Sequence, residues 1–397
     1  DFQTNLIKAV HDGLISQHRI DQSVRRILTL KFRLGLFEHP YVDAAAANGI
    51  VYGADTGVAR QAAAESAVLL KNSGSALPLA GTAKVVVTGP NADNGAAQLG
   101  GWSIGWQGVP AGVTPPAVTI RQALDTATGG AAVYAPDQAS AVAALKSADV
   151  AVAVIGETTP GAEGLNDSEN PVVPADQQAL VAALKATGKP VVVVMIASRP
   201  LVLGSVADDA SALLMAWLPG SQGGPGVVDD LYGTVNPSGR LPVSWPKTVG
   251  DEPMFYQQLP GTNGGPSSGY DPAYAFGAGL SYTTFTTSLG AVTGSVSRNG
   301  TVSVPVTVTN TGTVAGTDVV PVYVRQPTAN PLEPDHRLVG YARVALPAGA
   351  SKTVTVKVPV SRLAVTAGDV DASGPPTVQA GGYQILVGDQ TAPFTIH

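Results

Sequence analysis

The sequence predicts an α/β domain built on a largely parallel sheet, followed by an all-β sandwich, with a helical connector ahead of both. Three observations carry this. Between residues 56 and 250, short continuous apolar runs such as Asp149 to Ile155 and Val191 to Ala197 alternate with helical stretches, the pattern of strands buried on both faces. Beyond 286 the apolar period becomes two, with Val302, Val304, Val306 and Val308, then Val354, Val356, Val358 and Val360, alternating with polar residues. The length, 397 residues, is enough for two to three domains at roughly 150 residues each.

The elements follow in order. Residues 1–55 form the connector: Leu6, Ile7, Val10, Leu14 and Ile15 recur at helical spacing. After a break at Arg19-Ile20, Asp21 is positioned to cap a second helix with Val24, Ile27, Leu28 and Phe32 on one side and Gly35 as its stop. The pair is too small for its own core and reads as the tail of an upstream domain or an interdomain connector. In the α/β domain, 56–250, a helix is expected over Val58 to Lys71 and a strand over Lys84 to Thr88. A strand at Ala131 to Ala135 and a helix at Gln138 to Lys146 come next. Then follow a strand at Asp149 to Ile155, a helix at Asp176 to Thr187, and strands at Val191 to Ala197 and Ala212 to Trp217. Residues 251–285, rich in Gly, Pro, Ser and Tyr, read as a linking loop. Residues 286–397, with turn signals such as Asn310-Thr311-Gly312, form the β-sandwich.

Composition narrows the chemistry. Acids number 29 and bases 23, a net charge of −6, which argues against a basic nucleic-acid face. There is no cysteine, so thiolate nucleophiles, disulfides and Cys-based metal sites are excluded. The five histidines are His11, His18, His39, His336 and His397, so no local Ser-His-Asp triad fits the middle of the chain. The apolar runs are far short of the roughly 20 residues a membrane helix needs. Asp1-Phe2-Gln3-Thr4-Asn5 shows no signal-peptide pattern and no initiator Met, and the chain is expected to begin inside a larger protein.

Two loops could carry chemistry. Glu157, Glu163, Asp167 and Glu169 lie in the loop Gly156–Glu169, and no Lys or Arg occurs between Lys146 and Lys185. The loop follows the carboxyl end of a buried strand, where open α/β sheets place ligands. Mutual repulsion would favour a proton on one carboxyl, as a general acid requires. The plainer alternative is a solvated acidic loop or a weak calcium site. The second loop, Gly100-Gly101-Trp102-Ser103-Ile104-Gly105-Trp106-Gln107-Gly108, holds half of the chain's four tryptophans. Tryptophan faces stack on sugar rings, and Gln and Ser can bond hydroxyls; alternatively both rings bury themselves to pin the loop. Two G-x-S-x-G matches, Gly101–Gly105 and Gly265–Gly269, lack the strand-to-helix context of a nucleophile elbow. No G-x-x-x-x-G-K-[ST] loop occurs, and Gly220–Gly226, with Pro225 and no Lys, reads as a tight turn.

An ordered set of motifs over nearly the whole chain resembles the C-terminal portion of glycoside hydrolase family 3, the β-glucosidase and exo-β-glucanase group. The set comprises Ile20-Asp21-Gln22-Ser23-Val24-Arg25-Arg26-Ile27-Leu28, Leu34-Gly35-Leu36-Phe37, Glu65–Asn72 with Leu77-Pro78-Leu79, Gly220–Gly226 with Asn236–Pro242, and Phe276–Tyr282 leading into a fibronectin type III-like domain. The resemblance implies that Glu163, in Ala162-Glu163-Gly164, is the general acid/base, while Glu157 is structural. It implies that Trp106, joined by Trp102, faces the leaving-group sugar of a β-glucoside or short β-glucan. It also implies an N-terminal (β/α)8 barrel carrying an Asp nucleophile. Such a barrel needs about 250 residues, and the connector cannot supply it. The chain would then be the downstream part of a retaining enzyme, inactive alone, with the barrel as its partner. The resemblance implies no cofactor or metal, and an exported location. The rivals are a non-catalytic carbohydrate-binding or scaffold protein, a β-xylosidase, and, less favoured, a β-N-acetylglucosaminidase.

Overall fold

The computed structural model describes residues 1–53, 56–159, 161–251, 253–259, 270–329, 332–368 and 374–397. The chain divides into two compact units, Asp1–Thr56 and Gly57–His397.

The first unit holds α1 (Phe2–His11), α2 (Gln17–Arg33) and α3 (Ala44–Gly53). There is no break at Arg19-Ile20. Ser16, in extended backbone, caps α2 by accepting a hydrogen bond from the Arg19 amide (3.2 Å). Asp21 therefore sits inside the helix, where it accepts from Gln17 Nε2 (2.9 Å). No residue of α1 or α2 is buried, and Val24, Ile27, Leu28 and Phe32 are all exposed.

The second unit begins its secondary structure with α4 (Thr56–Ser66), β1 (Val68–Asn72), β2 (Val85–Thr88), α5 (Gly95–Leu99), α6 (Ile120–Ala127) and β3 (Val133–Ala135). It continues with α7 (Gln138–Leu145), β4 (Val150–Gly156), α8 (Ala175–Lys185), β5 (Val191–Ile196), α9 (Val206–Asp209), β6 (Ala212–Trp217) and α10 (Gly223–Tyr232). The six strands order as β1-β6-β5-β4-β2-β3. All neighbours are parallel except β1, which runs antiparallel to β6. Every residue of β2, β4 and β5 is buried, because helices cover both faces.

Two expectations fail here. The helix expected through Lys71 stops at Ser66, because Val68, Leu69 and Leu70 are buried in the sheet, with Val68 opposite Met215. Gly220–Gly226 is not only a turn: α10 starts at Gly223, with Pro225 in its first turn, where a missing N–H costs nothing. The glycines there serve close approach, since a Cβ on Gly224 would sit 2.3 Å from the Thr119 carbonyl oxygen at the start of α6.

The sandwich comprises β7 (Phe285–Leu289), β8 (Ser295–Val296), β9 (Thr301–Asn310), β10 (Gly316–Arg325), β11 (Arg337–Leu346), β12 (Ser351–Pro359), β13 (Gly381–Val387) and β14 (Gln390–Ile396). Its sheets order as β11-β10-β13-β14-β8 and β12-β9-β7. Val302, Val304, Val306 and Val308 all point into the core. Val360 is buried too, but in a short 3₁₀ turn after β12 rather than in the strand. Arg240 and Asp318 (3.0 Å) and Arg343 and Glu65 (2.5 Å) tie the sandwich to the α/β domain. Among the described residues no helix is long and apolar enough to cross a membrane.

Helix α10 also carries two neighbouring acids in opposite circumstances. Asp229 takes a bidentate pair from Arg60 of α4 (2.5 and 2.6 Å). Asp230 is fully buried, and among the described residues neither of its carboxyl oxygens has a hydrogen-bond partner. Burial, with the charge of Asp229 adding to it, pushes the Asp230 carboxyl up to about 9. An unfolded Asp titrates near about 3.9. Between those values the folded state keeps a proton that the unfolded state has released, so stability falls as pH rises. Urea unfolding between pH 5 and 8 is expected to show this decline, and Asp230→Asn is expected to flatten it by more than about 1 kcal/mol across that range.

Candidate functional site

The acidic loop begins at a joint with one allowed shape. Gly156, the last residue of β4, has φ +120°, and a Cβ there would lie 2.1 Å from the Ile196 carbonyl oxygen of β5. Its N–H donates to Gln177 Oε1 (2.7 Å) and its carbonyl accepts from Gln177 Nε2 (3.0 Å), both inside the core. The Glu157 amide then donates to Ile196 O (2.9 Å).

The Glu157 carboxylate is spent on the loop itself. It accepts from the Ser198 amide and hydroxyl (2.6 Å each), pairs with Arg199 Nε (3.1 Å) and accepts from Asn166 Nδ2 (3.2 Å). Arg199 also donates to the Asn166 carbonyl. From the neighbouring strand's loop, Asn91 and Asn94 donate to the carbonyls of Glu157 and Thr158 (3.1 and 3.0 Å). Both ends of the loop are therefore clamped. The repulsion expected among four acids is reduced at its first member, whose charge Arg199 meets. No group of three acidic or histidine side chains is placed to hold a metal ion among the described residues, so the calcium reading finds no support in the arrangement.

Glu163 differs in every respect. It opens a short 3₁₀ turn, Glu163–Asn166, with φ +51°, a conformation that is costly for a residue with a side chain and that collects at functional positions. Its side chain is exposed and makes no hydrogen bond or ion pair with any described residue. The residue before it is held: the Ala162 amide donates to Gln107 Oε1 (2.8 Å).

That bond joins the acidic loop to the tryptophan loop. Trp102 N donates to Trp106 O (2.9 Å), and Gly105 and Gly108 exchange backbone bonds (2.8 and 3.0 Å), so the segment folds as a tight hairpin. Trp102 and Trp106 are 70% and 53% exposed, their ring centroids 6.3 Å apart at 53°. They do not pin the loop; the backbone and Gln107 do. The Gln107 oxygen is taken by the Ala162 amide, and Ser103 is not free for hydroxyls either, since its Oγ donates to Gly100 O (2.7 Å). This bond also removes the first G-x-S-x-G match from contention; the second, Gly265–Gly269, lies outside the described residues. The structure thus brings Glu163 and the two tryptophans onto adjoining loops. It adds Ser198 and Arg199, which sequence reasoning missed, and gives Gln107 a bond to the Ala162 amide in place of the expected sugar contact. Ser198-Arg199 was discoverable: it follows β5 as Glu157 follows β4, and parallel neighbours bring such positions together.

An exposed glutamate and two solvent-facing tryptophans thus sit on adjoining loops of an α/β domain with a trailing sandwich. Residues 67–282 match the glycosyl hydrolase family 3 C-terminal domain and residues 318–391 a fibronectin type III-like domain; the chain belongs to glycoside hydrolase family 3. A periplasmic beta-glucosidase of Salmonella typhimurium is 34% identical over 89% of this chain and 52% of its own length. A beta-xylosidase of Formosa agariphila is 32% identical over 98% of this chain and 56% of its own. The beta-glucosidase from Listeria innocua, solved in complex with glucose, superposes with a TM-score of 0.85 at 28% identity, over 98% of this chain and 56% of that one. The family and fold class drawn from the motifs are borne out. The chain spans about half the length of the curated relatives it matches.

Trp102→Ala and Trp106→Ala are expected to leave unfolding free energy within about 0.5 kcal/mol of wild type, as exposed positions do. Gly156→Ala is expected to cost more than about 2 kcal/mol, because its Cβ meets a backbone oxygen in a positive-φ residue. Urea denaturation of the three variants checks both.

Proposed function

We propose that this chain is the C-terminal part of a retaining, exo-acting β-glucosidase or β-glucan glucohydrolase, with Glu163 as its general acid/base. The observation that carries this reading is the contrast within one loop: Glu157 is consumed by four hydrogen bonds and ion pairs, while Glu163 stands exposed on the loop that adjoins the Trp102–Trp106 hairpin. A retaining glycosidase needs two carboxyl groups about 5–5.5 Å apart, one attacking the anomeric carbon and one handling the leaving-group proton. Glu163 would protonate the glycosidic oxygen as the bond breaks, then take a proton from the water that releases the sugar. The tryptophans would hold the leaving sugar by stacking.

The nucleophile, an Asp, would come from an N-terminal barrel. In support, relatives are about twice as long as this chain, and α2 exposes the apolar residues Val24, Ile27, Leu28 and Phe32, which need a partner surface. An exported location is in keeping with the periplasmic name of the Salmonella relative. The second reading, a β-xylosidase, is favoured by the Formosa relative; rates on aryl β-glucoside and aryl β-xyloside separate the two.

The test is hydrolysis of an aryl β-glucoside by the 397-residue chain, alone and joined to a barrel-bearing half. The chain alone is expected to be silent. The joined enzyme is expected to turn over, and Glu163→Gln to lower its rate on an unactivated glucoside about 10²–10⁴-fold. Turnover by the chain alone that disappears in Glu163→Gln would mean that it holds its own nucleophile.

A further inference from the structure

Glu163 has no side-chain restraint among the described residues, yet an acid/base must sit within a fraction of an ångström of its working position. Between the clamped ends of its loop, the restraint nearest Glu163 comes from Gln107. The Ala162 amide donates to Gln107 Oε1 (2.8 Å), and Ala162 is itself buried, with extended backbone (φ −109°, ψ 151°). That conformation turns the Ala162 N–H inward while the next residue, Glu163, enters the left-handed region and points out. The two loops touch backbone to backbone: a Cβ on Gly101 would lie 2.8 Å from Ala162 N and 2.9 Å from Gly161 C.

The orientation of the Gln107 amide is fixed by chemistry, because only its oxygen can accept from an N–H. Its Nε2 is buried and makes no hydrogen bond with any described residue. An unpaired buried donor is costly, so the side chain is worth keeping there for its acceptor oxygen. Gln107 also follows Trp106 directly and sits between the Gly105 and Gly108 backbone bonds that close the hairpin.

We infer that Gln107 is a positioning residue that couples the two halves of the site: its side-chain oxygen holds Ala162, so that Glu163 and the tryptophan platform keep one fixed relation. This rests on the acid/base reading of Glu163. Coupling of this kind lets a sugar stacked on Trp106 register the proton donor against its own glycosidic oxygen.

The test uses two variants. Gln107→Met keeps size and removes the acceptor; Gln107→Glu keeps an acceptor oxygen and removes the idle donor. Amide hydrogen exchange at Ala162 in the 397-residue chain is expected to quicken at least ten-fold in Gln107→Met and to stay near wild type in Gln107→Glu. Exchange at Val152–Ile155 in buried β4 reports that each variant remains folded. In the barrel-joined enzyme, Gln107→Met is expected to lower kcat/KM, which reports glycosylation, on an unactivated β-glucoside about 10²-fold, the scale of a 1 Å misplacement. The loss should be much smaller on a dinitrophenyl glucoside, whose leaving group needs no proton, and Gln107→Glu should restore the rate. Unchanged exchange at Ala162 in folded Gln107→Met, or equal kcat/KM losses on both substrates, would overturn the inference. If Glu163→Gln proves harmless while Gln107→Met still frees Ala162, the tether stands and the assignment of Glu163 falls.

Discussion

The contact between Gly156 and the backbone of Ile196 decides where the acidic loop leaves the sheet. A side chain at Gly156 would occupy the place of the Ile196 carbonyl oxygen, and Gln177 holds the residue by both its N–H and its carbonyl. With β4 and β5 locked in register to their last residues, Glu157 necessarily emerges beside Ser198 and Arg199. The clamp at the loop base follows from that register. The clamp leaves the middle of the loop to be placed by its own backbone and by the tryptophan hairpin alongside.

Two glutamates six positions apart are thereby given different tasks by their surroundings. Glu157 meets a cation and three hydrogen-bond donors, which hold it as a charged strut. Glu163 meets none among the described residues. The sandwich acts at a distance from both. Its ion pairs, Arg240–Asp318 and Glu65–Arg343, join strands β10 and β11 to the α/β domain, a role in support of the fold.

The parallel strands were legible because a strand buried on both faces is a continuous apolar run bounded by polar residues, as at Val191–Ile196. The sandwich was legible from its valine alternation. Strand β1 was hidden because Val68-Leu69-Leu70 directly follows an Ala-rich helix and offers no turn signal between the two. Helix α10 was hidden by its own glycines, which read as loop residues but serve tight packing against the start of α6. At the site, Glu163 and the tryptophans could be picked out as unusual residues in unusual loops. The role of Gln107 could not, because its partner lies 55 residues away and a glutamine beside tryptophans suggests sugar contact first. The cap of α2 was misplaced for a local reason, two eligible residues, Ser16 and Asp21, of which the first in the chain wins.

The claim on which the account turns is that Glu163 handles the leaving-group proton. Its most direct test is the dependence of rate on leaving-group basicity in the barrel-joined enzyme with Glu163→Ala, across aryl β-glucosides from dinitrophenyl to phenyl. The account predicts near wild-type glycosylation for dinitrophenyl glucoside and a steep fall as the leaving group becomes more basic, with azide restoring turnover by replacing the activated water. A uniform loss across the series, with no response to azide, would contradict it.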